Sequence, residues 1–65
     1  MRKFIRGHQT SEELIRFAVM ECYGEGAWYS LPKIQRTKLA SLIDGKDFVD
    51  EFDISGLLKK SEAAA

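Results

Sequence analysis

The stretch Thr10-Ser11-Glu12-Glu13-Leu14-Ile15-Arg16-Phe17-Ala18-Val19-Met20-Glu21-Cys22-Tyr23 decides the fold. It has a start signal, a sustained apolar face and a stop. Thr10 lies three residues before Glu13, the spacing of a capping box, in which hydroxyl and carboxylate each satisfy a backbone N–H of the first turn. Glu12 and Glu13 place negative charge at the positive end of the helix dipole. Gly24 and Gly26 supply the freedom for a C-terminal cap. At about 100° per residue, Leu14, Ile15, Ala18, Val19 and Cys22 share one arc, opposite Glu12, Glu13 and Arg16. Phe17, Met20 and Tyr23 fall at or beyond the edge of that arc. They call for cover by a second element of the chain or by another molecule.

Outward from this helix, the other segments read as shorter pieces packed against it. Phe4 and Ile5, set among Arg2, Lys3 and Arg6, suit a short strand or ordered arm that lays an apolar side chain on the core. Glu25–Tyr29 reads as a connector. Its Trp28 and Tyr29 either fold back to close a small core or serve as partner anchors, since these residue types dominate interface hot spots. Ser30 is a candidate cap for a second helix with Pro32 in its first turn, running to an Asp44-Gly45 stop. On it Leu31, Leu39, Leu42 and Ile43 share a face, with Ile34 off to one side and Lys33, Thr37, Ser41 and Asp44 toward solvent. Asp47 is a candidate cap for a third helix, Phe48 to Asp53, with Phe48, Val49 and Phe52 inward. Ile54, Leu57 and Leu58 form a last apolar strip before Lys59 and Lys60. The predicted fold is all-α: three or four short helices in a small bundle, with an optional N-terminal strand or arm. Residues 1–60 form one domain, and 61–65 a frayed tail.

Size and composition bound the function. A chain of 65 residues buries only about 60% of its unfolded surface, so its core is small. The usual remedies are disulfides, a metal or a partner subunit. One cysteine, Cys22, excludes an internal disulfide, and one histidine, His8, with that cysteine does not make a four-ligand zinc site. Self-association is the remedy left, and a homodimer is expected. Ten basic residues balance ten acidic ones, so no net charge drives the chain onto nucleic acid or anionic membrane. The charges are blocky: basic at 2–6 and 33–38, acidic at 44–53, a distribution suited to complementary docking. No apolar run approaches the roughly 20 residues that span a bilayer. The basic start leads into Gly7-His8-Gln9, unlike a signal peptide, and a cytoplasmic setting is expected.

Catalytic motifs are wanting. Gly24-Glu25-Gly26 lacks the Lys and Ser or Thr of a phosphate loop. Asp44-Gly45-Lys46-Asp47 lacks the alternating oxygen ligands and closing Glu of a calcium loop. A non-enzymatic role follows, with no cofactor, metal or small-molecule substrate. Thr37 to Gly45 resembles the first half of a helix-turn-helix, but the groove-entering helix would be Asp47 to Asp53, whose four Asp and Glu side chains repel phosphate.

The order basic strand, helix, turn, helix over roughly the first 45 residues resembles the ribbon-helix-helix repressors. The ribbon would be Arg2-Lys3-Phe4-Ile5-Arg6, and the helices Ser11 to Tyr23 and Leu31 to Asp44. The resemblance implies a dimeric DNA-binding regulator using Arg2, Lys3, Arg6, Lys33, Arg36 and Lys38. The connector here is longer and aromatic, and an acidic segment follows. The favoured reading is a small regulatory or interaction protein that binds another protein or itself. Its contact patch is Phe17, Met20, Tyr23, Trp28 and Tyr29, flanked by Asp47, Asp50, Glu51 and Asp53.

Overall fold

A computed structural model describes residues 2–63. The elements in order are β1 (Lys3–Ile5), α1 (Ser11–Tyr23), α2 (Glu25–Tyr29), α3 (Lys33–Leu42), β2 (Phe48–Asp50) and α4 (Glu51–Glu62). Four helices and a short ribbon make the small helical bundle expected, and the N-terminal arm is a strand.

The capping box at the start of α1 forms in full: Thr10 Oγ1 accepts from the Glu13 N–H, and the Thr10 N–H donates to the Glu13 carboxylate at 2.9 Å. That contact, backbone first, holds the Glu13 carboxyl below its ordinary value. Leu14, Ile15, Ala18 and Val19 are buried, and Cys22 is half-buried beside them. At Gly24 the chain takes φ 95°, a backbone state that a side chain would strain, and its N–H caps the Met20 carbonyl.

The connector is helical. Gly24 ends α1 and starts α2, whose one full turn carries Trp28 into the core. Ser30 belongs to this turn, its hydroxyl donating to the Ala27 carbonyl, and does not cap the next helix. The reason lies in Leu31, which precedes Pro32 and is thereby pushed out of helical conformation. Helix α3 accordingly starts only at Lys33, with no side-chain cap.

The expected helix from Phe48 is not there. Phe48–Asp50 pairs antiparallel with Lys3–Ile5, in the register Lys3 with Asp50, Phe4 with Val49 and Ile5 with Phe48. The ladder extends through Arg6 N–H to Asp47 C=O and Glu51 N–H to Arg2 C=O. Alternation sends Phe4 and Val49 into the core and leaves Phe48 outside, 45% exposed. The helix cap is Asp50, not Asp47: its carboxylate accepts from the Phe52 N–H at 2.8 Å, so α4 begins at Glu51 and Phe52 turns to solvent. On α4, Ile54 and Leu57 are buried and Leu58 packs on the core.

Ser61 and Glu62 continue α4, where a frayed tail was expected. Ser61 is fully buried, accepts from Gln35 Nε2 at 2.9 Å and donates to the Leu58 carbonyl. This polar bridge ties α4 to α3. Ala64 and Ala65, also assigned to the tail, lie outside the described residues.

Candidate interaction surface

Of the seven aromatic residues, Phe4 and Trp28 are buried, while Phe17, Tyr23, Tyr29, Phe48 and Phe52 are exposed. Trp28 is therefore core, and its assignment to a contact patch is corrected. The short α2 helix points it inward, and only its neighbour Tyr29 faces solvent. Phe17 is partly covered, its ring edge-on to Phe4 at 5.9 Å between centroids. Met20 is half-buried against the core.

Tyr23 faces an open groove of about 400 Å³ shared with Arg2, Glu21, Cys22, Glu51 and Phe52. Here the structure brings an expected apolar contact, Tyr23, together with an expected acidic one, Glu51. Arg2 is tied at this site by an ion pair of 2.8 Å with Glu21, which pushes the guanidinium up from its ordinary value. Beyond Phe52 lies a second groove of about 200 Å³, lined by Lys46, Asp53, Gly56, Leu57 and Lys60. Of the remaining acidic candidates, Asp47 and Asp53 are exposed and Asp50 is half-buried at its capping duty.

Phe52 is the centre of this surface and escaped the sequence reading, as did Phe48. The readable signal was Asp50 itself, a residue type favoured at helix N-caps, whose carboxylate accepts from the Phe52 N–H, starts α4 at Glu51 and leaves Phe52 outward. The outer face of the ribbon carries further exposed apolar groups, with Ile5 opposite Phe48 and the Lys3 ammonium 4.9 Å from the Phe48 ring centroid.

The basic residues do not converge. Arg6 works inside the fold: Nε donates to the Lys46 carbonyl at 2.7 Å, and Nη2 to the Ile43 carbonyl at 2.8 Å. Nη1 donates to Ser11 Oγ at 3.1 Å, with a longer contact to the Gln9 carbonyl at 3.4 Å. It thereby joins β1, the start of α1 and the end of α3. Lys33 and Arg36 line a separate recess of about 130 Å³ with Glu12 and Thr37. The Arg36 Nε is buried there without a partner among the described residues. Lys3 and Lys38 are exposed.

Among the described residues, no cluster of His, Cys, Asp and Glu could hold a metal ion, and no helix is long and apolar enough to cross a membrane. These features define a small four-helix domain with a two-stranded ribbon and an aromatic, charge-flanked outer face. No family model, curated protein or solved structure matches the chain.

Proposed function

We propose that this chain is a non-enzymatic interaction protein, acting by binding another protein molecule through the surface centred on Phe52. The patch takes in Tyr23, and Glu51 and Asp53 line the grooves on either side of Phe52. The observation that carries the reading is the exposure of Phe52, at 72% the highest among the large hydrophobic residues. Burying such a ring is worth about 1.5–3 kcal/mol. Association costs at least about 4 kcal/mol of lost freedom, so several rings must be covered together, and Tyr23 stands on the same groove.

The test replaces Phe52 and Tyr23 by Ser in a tagged full chain. Thermal unfolding should be nearly unchanged, while the molecule retained by the wild-type chain from producing cells is lost. A variant that unfolds would make these rings core. A variant that keeps its partner would place the contact elsewhere.

The nucleic-acid reading draws less support. Arg6 is occupied within the fold, Arg2 is paired with Glu21, and the recess of Lys33 and Arg36 is separate from the groove bordered by Arg2.

A further inference from the structure

The ladder between β1 and β2 fixes which backbone groups of β1 are used inside the subunit. Arg6 N–H donates to the Asp47 carbonyl, and Glu51 N–H to the Arg2 carbonyl. With Phe4 opposite Val49, the residues that bond β2 are therefore Arg2, Phe4 and Arg6. Lys3 and Ile5, between them, turn their N–H and C=O groups the other way. No turn, cap or third strand engages those four groups among the described residues. Both residues are exposed, Ile5 by 64%. The second strand offers no equal edge, because Asp50 passes at once into α4.

An open edge with two successive outward-bonding residues is a template for one more strand. The outer face of β1 adds side-chain chemistry to it. Ile5 lies opposite Phe48, which makes an apolar row. The Lys3 ammonium lies over the Phe48 ring, and no carboxylate comes within ion-pair distance of it among the described residues. Asp50, its cross-strand neighbour, turns its carboxylate to the Phe52 N–H instead.

We propose that β1 takes an extended, acidic segment of a different protein as a third strand, antiparallel to it. Alternation puts the residues opposite Ile5 and Lys3 two apart on the outer face. From its N-terminus the segment therefore reads apolar, any residue, acidic. Its carboxylate meets Lys3, and its apolar side chain lengthens the row of Ile5 and Phe48. A second copy fits worse. The antiparallel register that bonds all four groups sets Arg2 opposite the copy's Arg6 and the two Lys3 side chains diagonal to each other, like charge beside like. A lysine on a short edge strand guards against such pairing and still admits an acidic strand. This edge is separate from the Phe52 surface, since neither Lys3 nor Ile5 lines the grooves beside that ring.

The experiment titrates the isotope-labelled full chain with the peptide acetyl-Thr-Val-Thr-Glu-Thr-amide, and with its counterpart carrying Lys in place of Glu. Amide shifts and hydrogen exchange are followed by NMR. In the free chain the Lys3 and Ile5 amides should exchange at least about tenfold faster than those of Phe4 and Val49. Peptide should shift both downfield to saturation, and the Glu peptide should bind about three- to tenfold tighter than the Lys peptide at low salt. Ile5→Pro removes a donor the fold does not use, at an edge position that accepts proline. It should leave the unfolding temperature nearly unchanged and weaken binding about tenfold. Lys3→Glu, which decides the matter if the proline variant fails to fold, should reverse the preference toward the Lys peptide. Protected Lys3 and Ile5 amides in the free chain overturn the proposal, as does protection that grows with chain concentration alone, the mark of a second copy on this edge. So do shifts confined to the residues around Phe52, no saturable shift at millimolar peptide, or an unchanged preference in Lys3→Glu.

Discussion

Replacing Arg6 by Ala tests whether this side chain holds the fold together or waits for an external phosphate. The guanidinium makes three contacts of 3.1 Å or shorter, to the carbonyls of Lys46 and Ile43 and to Ser11 Oγ. A hydrogen bond to a charged group is worth about 1.5–3 kcal/mol when shielded, and well under that in solvent. The contacts to Ile43 and Ser11 are part-buried and the one to Lys46 is exposed, so the discounted loss is about 2–3 kcal/mol. Against a total stability of about 3–10 kcal/mol for a domain of this size, that is a large share. It corresponds to a fall of about 10–20 °C in Tm, read by circular dichroism, with urea unfolding giving the free energy directly. Arg6→Lys should recover less than half of the loss, because a compact ammonium cannot span the separate acceptors. An Arg6→Ala chain within about 0.5 kcal/mol of wild type would refute the reasoning. If that variant also lowered the salt slope of binding to random duplex by about one, Arg6 would be a phosphate contact and the DNA-binding reading would gain.

Three further outcomes follow from the packing. Ser61→Ala strands the buried Gln35 amide and should cost about 1–3 kcal/mol in urea unfolding, while adding Gln35→Leu should return much of it. Trp28→Ala should lose about 3–5 kcal/mol, enough to unfold much of the population, whereas the neighbouring Tyr29→Ala should stay within about 0.5 kcal/mol. The third concerns pH: the lowered Glu13 pKa means the carboxylate favours the folded state above its ordinary value of 4.5, and that contribution disappears as pH falls through the depressed folded value. The stability gap between wild type and Glu13→Gln should therefore be largest near neutrality and close on acidification. A gap that widened toward low pH would contradict the capping assignment.

The parts of the chain with a local, self-announcing code were legible. Thr10 and Glu13 define the start of α1, Gly24 its end, and the spacing of Leu14, Ile15, Ala18 and Val19 its buried face. Ile54, Leu57 and Leu58 continue the same logic on α4, whereas the buried Ser61 reads as tail until Gln35 is placed beside it. Misreadings arose where a distant segment decides. Phe48-Val49 is short enough to be helix or strand, and only β1, more than forty residues away in sequence, selects the strand. Once it does, Asp50 becomes the cap and Phe52 turns outward. Arg6 illustrates the same limit for function: a cation in a basic run reads as a nucleic-acid contact until the carbonyls of the Ile43–Lys46 turn are placed beside it. Of the contact surface, Tyr23 and Glu51 were readable, while the exposure of Phe52 needed the helix phase.

The central claim is that the rings left outside this small core are covered by another molecule. The most direct measurement places a photoreactive phenylalanine analogue at position 52 of the full chain, with position 37 on the exposed face of α3 as control. Irradiation in producing cells should give a discrete adduct from position 52, running at twice the chain mass if the occupant is a second copy, and none from position 37. Absence of any adduct from position 52, or the same diffuse products from both positions, would contradict the claim.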